Sequence, residues 1–169
     1  MNIKDTEQSY GSITRLFHWL MAAGFAFMYF TAIAWNISED NYSLMPYHKA
    51  VGFILLLLLL ARAVWMLLNL KNRPHASVAA KLGHLALYGL MLLIPVLGAL
   101  RTYGFDKPLK VFGITVFDKP GFETPWMQQA SNPHGPLGWI LLLLVIGHVG
   151  MALLHQMKGE RILNRMIGS

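Results

Sequence analysis

Four stretches of this chain lack the alternation of polar and apolar positions that water imposes on a soluble helix or strand. They cover residues 13–35, 47–70, 82–103 and 134–157. Each is long enough for the roughly 20 apolar residues that carry a helix across a bilayer core. The third contains Pro95, which a transmembrane helix tolerates with a kink. The links 36–46 and 71–81 are short, whereas 104–133 is long and rich in Gly, Pro and aromatics. Within it, FGITVFDKPGFETPW (112–126) is too patterned for a mere linker, and is expected to cap one end of the bundle or to dock a partner. Apart from the leucine run at 55–60 there is no repeat or low-complexity tract. The pattern predicts an all-α integral membrane protein, a four-helix transmembrane bundle forming one domain over 1–169.

Composition sharpens this. The 169 residues are 55% hydrophobic and 13% charged, against about 25% charged in ordinary soluble domains, and mean hydropathy is +0.45. A soluble globule of this size has too little interior to hide so much apolar surface, which excludes a soluble enzyme or a disordered chain. The pI near 9.7 does not imply a nucleic-acid partner, because the fourteen Lys and Arg are scattered between apolar runs and form no basic stripe. There is no cysteine, so thiolate metal sites, iron–sulfur clusters and covalent haem attachment are ruled out. The N-terminal nineteen residues show no small-residue cleavage site, and the first apolar segment is too long for a signal peptide, so it is expected to remain as a span.

Four spans place both termini on one side. That side carries Lys4, Arg15, Lys71, Arg73, Lys81, Lys158, Arg161 and Arg165, and the other carries Lys49, Arg101, Lys107, Lys110 and Lys119. The excess predicts cytoplasmic termini. All eight acidic residues lie in loops or tails, which weakens a proton- or ion-carrier reading, since carriers place carboxylates inside the bilayer. Outer lysines and arginine are balanced by Glu39, Asp40, Asp106, Asp118 and Glu123, so any funnel for an anion must be local.

The spans nevertheless contain His18, His48, His84, His134, His148 and His155 together with Arg62, and His75 alone sits in a loop. Intramembrane ionisable residues point to function. A single such histidine is as readily a hydrogen-bonded core residue, but six in four short helices are not. His134 and His148 are fourteen residues apart, about 21 Å along the axis and almost four whole turns, so they leave the same face at two levels. His48 matches the outer level of His134, and His18 the inner level of His148. Two imidazoles per level suit a six-coordinate haem b held without covalent links. Zinc is the rival metal, but would be left short of its four ligands. Gly24, Gly52, Gly138, Gly147 and Gly150 near these histidines suit either a flat macrocycle or plain helix contact. Arg62 has a haem propionate or snorkelling to the interface open to it. His84 is a possible quinone contact, or the rival of His18 as fourth ligand, and His155 is expected to face interfacial water. Trp19, Trp35, Trp126 and Trp139 read mostly as interface anchors.

Motifs complete the picture: RLFHW opens the first span, YHKAVG the second, LGHLALY and PVLG lie in the third, and HGPLGW and GHVG in the fourth. Over the whole chain these resemble the bacterial cytochrome b561 family, and the arrangement is similar to the cytochrome b subunits of formate dehydrogenases and nickel–iron hydrogenases. The resemblance implies two haem b groups, with His18 and His148 for the inner iron and His48 and His134 for the outer. His84 also matches a family position. It further implies electron exchange with ubiquinone in the bacterial inner membrane, and for some members superoxide oxidation at the outer face. The leading expectation is therefore a diheme cytochrome moving single electrons from an outer donor, superoxide or another, to ubiquinone. The alternative is a haem-bearing anchor for a separate periplasmic redox protein, with no activity alone. A histidine-lined metal transporter is the non-redox rival, and whether the chain is an enzyme is left open.

Overall fold

A computed structural model describes residues 2–72, 74, 77–160 and 162–168; Arg73, His75 and Arg161 lie outside the described residues. Four long helices appear where the apolar stretches predict them: α1 (Ser12–Ile37), α2 (Met45–Leu68), α3 (Val78–Gly104) and, after a short helix α4 (Pro125–Ala130), α5 (His134–Met157). A terminal helix, α6 (Ile162–Ile167), follows. All four long helices are apolar and long enough to cross a membrane. α3 starts four residues before the expected 82, because Ser77 accepts a hydrogen bond from the Ala80 N–H at 3.2 Å and caps the helix there. α2 stops two residues early, where the buried Asn69 turns its amide onto the Trp65 carbonyl at 2.9 Å.

The helices are apolar on nearly every side and leave that surface outward, as at Leu57, Leu85 and Leu143. That is stable only in lipid, where no water penalises it. The inward core is small. Met21, Leu55 and Leu59 form its centre, with Phe25, Met28, Val51, Leu58, Tyr88 and Met91 packed around them. Packing runs in series from α1 to α2, α2 to α3 and α3 to α5, with no comparable packing of α5 against α1 or α2. The bundle thus keeps a gap along one seam.

The two ends differ. At the end with the termini, Asp5 accepts hydrogen bonds from the Gly11 N–H at 2.9 Å and the Thr14 hydroxyl at 2.6 Å, and Thr14 accepts one from the Trp65 indole at 2.9 Å. At the other end the long connection folds into an antiparallel hairpin, β1 (Leu109–Val111) and β2 (Ile114–Phe117). Its two turn residues, Phe112 and Gly113, both have positive φ, 47° and 92°, as a tight primed turn requires. Leu109 is buried, and Phe117 meets Tyr103 edge-to-face at 5.6 Å. α4 is bound to the end of α3 through Gly104, whose carbonyl accepts from the Thr124 N–H at 2.9 Å and the Gln128 amide at 3.0 Å.

A Cβ on Gly104 would stand 2.8 Å from Met127 Cβ, so Gly104→Ala is expected to push α4 off the bundle. Overpacking of this kind costs about 1–3 kcal/mol, read as a lowered thermal unfolding midpoint in detergent.

Candidate functional site

At the hairpin end, His48 on α2 and His134 on α5 face one another with ring centres 6.4 Å apart. His48 is seated by Thr31 of α1, whose hydroxyl lies 2.8 Å from Nδ1 and 2.8 Å from the Met28 carbonyl. The hydroxyl gives its one proton to that carbonyl, so it accepts from His48 Nδ1–H and leaves Nε2 as the free lone pair. His134 donates Nδ1–H to the Ile94 carbonyl at 2.8 Å, with the same consequence. Gly98, one turn along α3, makes room: a Cβ there would come 2.9 Å from His134 Cε1. Trp35 packs edge-on against His48 at 4.8 Å and stacks on Tyr42.

These rings line a cavity of about 650 Å³ between α1, α2, α3 and α5. Tyr29 crosses the gap and donates to the Gly138 carbonyl at 3.1 Å. Lys49, Arg101 and Lys107 line the same cavity, and no carboxylate does among the described residues. The connection's roughly neutral net charge therefore conceals a local concentration of cations beside the histidines.

At the end with the termini, His18 on α1 and His148 on α5 stand 6.3 Å apart. His84 on α3 lies edge-on to His148 at 5.4 Å, is exposed, and donates Nδ1–H to the Ala80 carbonyl at 2.6 Å. Arg62 turns inward. Its guanidinium lies over the Tyr88 ring, 5.6 Å from the ring centre, and Nη1 is 3.7 Å from Met21 Sδ. The snorkelling alternative for Arg62 is thus set aside by its contacts with α1 and α3.

Several expectations need correction. His155 does not face water alone: it is half-buried, with Nδ1 2.9 Å from Glu160, and closes the turn after α5. Trp35 and Trp19 each also lie edge-on to a histidine, His48 at 4.8 Å and His18 at 5.3 Å. Gly24 serves helix contact, because a Cβ there would meet Leu55. By contrast, Cβ atoms on Gly138, Gly147 and Gly150 would meet nothing within 4 Å, so these glycines are not required by helix contact. Sequence reasoning missed Thr31, Tyr88 and Gly98 as parts of the site. The signal was a polar residue inside an apolar run in the first two cases, and the Gly of PVLG in the third.

The geometry discriminates between metals. Two imidazoles bonded to opposite sides of one metal ion have ring centres about 6.2 Å apart, from two bonds of about 2 Å and two half-rings of about 1.1 Å. Two ligands of a tetrahedral ion would close to about 5 Å. The pairs at 6.3 and 6.4 Å are spaced more widely than two ligands of one tetrahedral ion, so the residues present would fit haem better than zinc. The His84 and His148 rings stand closer than either pair, 5.4 Å apart.

Comparison with known proteins agrees. A family model described as prokaryotic cytochrome b561 matches residues 9–169. The chain belongs to the prokaryotic cytochrome b561 family. Cytochrome b561 homolog 2 of Escherichia coli (strain K12) is 31% identical over 183 aligned positions, covering 99% of this chain and 96% of that protein. As a b561 cytochrome the chain is a membrane electron-transfer protein with b-type haem as its cofactor.

Gly98→Ala is expected to displace the His134 ring and to lower b-haem content per chain, measured as pyridine haemochrome. Thr31→Val keeps the shape but removes the acceptor for His48 Nδ1–H. It should keep the haem and shift one midpoint potential in a redox titration, since second-shell partners of ligating histidines tune the metal.

Proposed function

We propose that this cytochrome carries single electrons across the bacterial inner membrane between an outer-face donor and ubiquinone, with two haem b groups held at two levels. His48 and His134 ligate the outer iron, and His18 and His148 the inner. The observation that carries the reading is the pair of opposed imidazole couples at 6.4 and 6.3 Å, both sharing α5. Haem supplies the one-electron redox chemistry; the protein's part is ligation, insulation and access.

The positive-inside bias supports cytoplasmic termini, which puts the hairpin and the 650 Å³ cavity at the outer face. There Lys49, Arg101 and Lys107 draw an anionic donor toward the histidine pair, as a cleft lined by one sign of charge does. Superoxide fits this chemistry: each anion gives up one electron and leaves as O₂, and two such electrons with two protons convert ubiquinone to ubiquinol. With His48 and His134 both holding the haem, the donor would be served at the edge of the site and not on the metal. At the inner face, His84 is the candidate quinone contact. It is exposed to the lipid side, its Nδ1–H is engaged with Ala80, and its Nε2 is left to accept a proton or hydrogen bond beside His148.

One observation favours a second reading, a haem-bearing anchor for a periplasmic redox protein. Phe112, Ile114, Phe122 and Trp126 of the outer connection are all more than 60% exposed, more apolar surface than a cap alone needs. Purified protein separates the two readings: ubiquinone reduction by the chain alone supports the first, and activity only with a co-purifying subunit supports the second.

A reduced-minus-oxidised spectrum with pyridine-haemochrome quantification is expected to give two low-spin b haems per chain. His134→Ala should lose one and His148→Ala the other; retention of both haems in either variant overturns the pairing. Replacing Lys49, Arg101 and Lys107 together by Gln should slow superoxide-driven quinone reduction and flatten its dependence on ionic strength. If rate and salt dependence are unchanged, the outer cations do not steer the donor.

A further inference from the structure

Two polar groups near the termini end have no role in ligation. Tyr88 on α3 packs against the Met21, Leu55 and Leu59 core, and its hydroxyl is buried with no hydrogen-bond partner among the described residues. A hydroxyl in that state costs on the order of 1–3 kcal/mol unless something completes it. Arg62 on α2 lies over the same ring. Its hydrogen-bond partner among the described residues is the soft sulfur of Met21 at 3.7 Å, a weak acceptor for a full positive charge. Among the described residues no carboxylate forms an ion pair with it, and all eight acidic residues lie outside the four long helices.

The two groups are complementary. A neutral O–H donor from α3 and a guanidinium from α2, the latter over the tyrosine ring, stand on the side of the bundle where Arg62 is within electrostatic reach of His18 and His148. An ordered water would complete the tyrosine and leave the arginine without an anion at membrane depth. A carboxylate completes both: one oxygen accepts from Tyr88 Oη, and the group as a whole pairs with the guanidinium through charge-assisted hydrogen bonds.

We propose that Arg62 and Tyr88 form a carboxylate cradle for a propionate of the inner haem, and thereby fix how that macrocycle is turned about the line joining His18 and His148. The inference rests on the bis-histidine reading above. It makes Arg62 and Tyr88 positioning residues with unequal roles. Arg62 supplies the charge that keeps the propionate ionised in the membrane, and Tyr88 supplies direction.

The test uses the full-length holoprotein with haem carboxylates labelled with ¹³C through the biosynthetic precursor δ-aminolevulinate, read by redox-difference infrared spectroscopy. Bands absent from His148→Ala mark the inner propionates. Those bands are expected to shift in Tyr88→Phe and in Arg62→Lys, while the outer set stays in place. In Arg62→Gln the reduction equilibrium of the inner haem should weaken about tenfold, which is about 59 mV for a one-electron couple, with the outer potential unchanged. Should Tyr88→Phe fail to hold haem, Arg62→Lys carries the test, since it keeps the charge and loses the planar fork. Labelled bands that stay in place in every variant retaining two haems overturn the cradle and leave a bound water in its place. A wild-type chain without a Soret band overturns the ligation reading itself, and the cradle with it.

Discussion

An imidazole at membrane depth has no water to satisfy it, so each one must be completed by protein or by a ligand. This constraint organises the bundle. α5 carries His134 and His148 on one face, and it is held by α3 on one side while standing off α1 and α2 on the other. Across that seam the chain places His48 and His18, each at the spacing of two opposed ligands. A seam closed by ordinary apolar packing would have left no room between the rings. A seam held open with nothing in it would forfeit the dispersion contacts that hold membrane helices together. The series packing α1–α2–α3–α5 makes one wall and, on the proposed ligation, leaves the fourth contact to be completed through the imidazoles.

The wall also sets the rings. His48 is turned by Thr31 from α1 and His134 by the Ile94 carbonyl of α3, so each nitrogen that faces the seam is set by a neighbouring helix and not by the helix that bears it. Gly98 contributes only by lacking a Cβ. This is why residues that carry no imidazole still govern the seam: a shift of a few tenths of an ångström in α3 moves the carbonyl and the ring together.

The two ends are built for different exchanges. The end with the hairpin has a roomy cavity lined by three cations, and the connection above it is ordered by Gly104 and by the strained turn at Phe112. The end with the termini has a buried donor and an inward-facing guanidinium near its histidine pair, with His84 exposed at the flank. One end offers entry to a small anion. The other turns a hydroxyl and a guanidinium inward near its histidine pair, and has an edge open to lipid. That asymmetry suits the proposed transfer between the two faces, and it arises from a handful of residues on a nearly uniform apolar scaffold.

Much of this was legible from the chain alone, for particular reasons. A bilayer forbids unsatisfied backbone, so long apolar runs become helices, and α5 begins and ends where the pattern of 134–157 puts it. Helical periodicity is equally rigid, so the fourteen-residue step from His134 to His148 placed both on one face, and matched levels brought in His48 and His18. What the chain could not express was which side chains would meet across helices. Thr31, Gly98 and Tyr88 look like ordinary span residues until α1, α2, α3 and α5 are assembled around them. The inward turn of Arg62, the pairing of His155 with Glu160 and the gathering of Lys49, Arg101 and Lys107 at one mouth depend on the same assembly. Periodicity along one helix is a local property, fixed by backbone hydrogen bonds. Contacts between helices depend on their rotation and offset, which small residues and a few polar bonds decide only when the whole bundle closes.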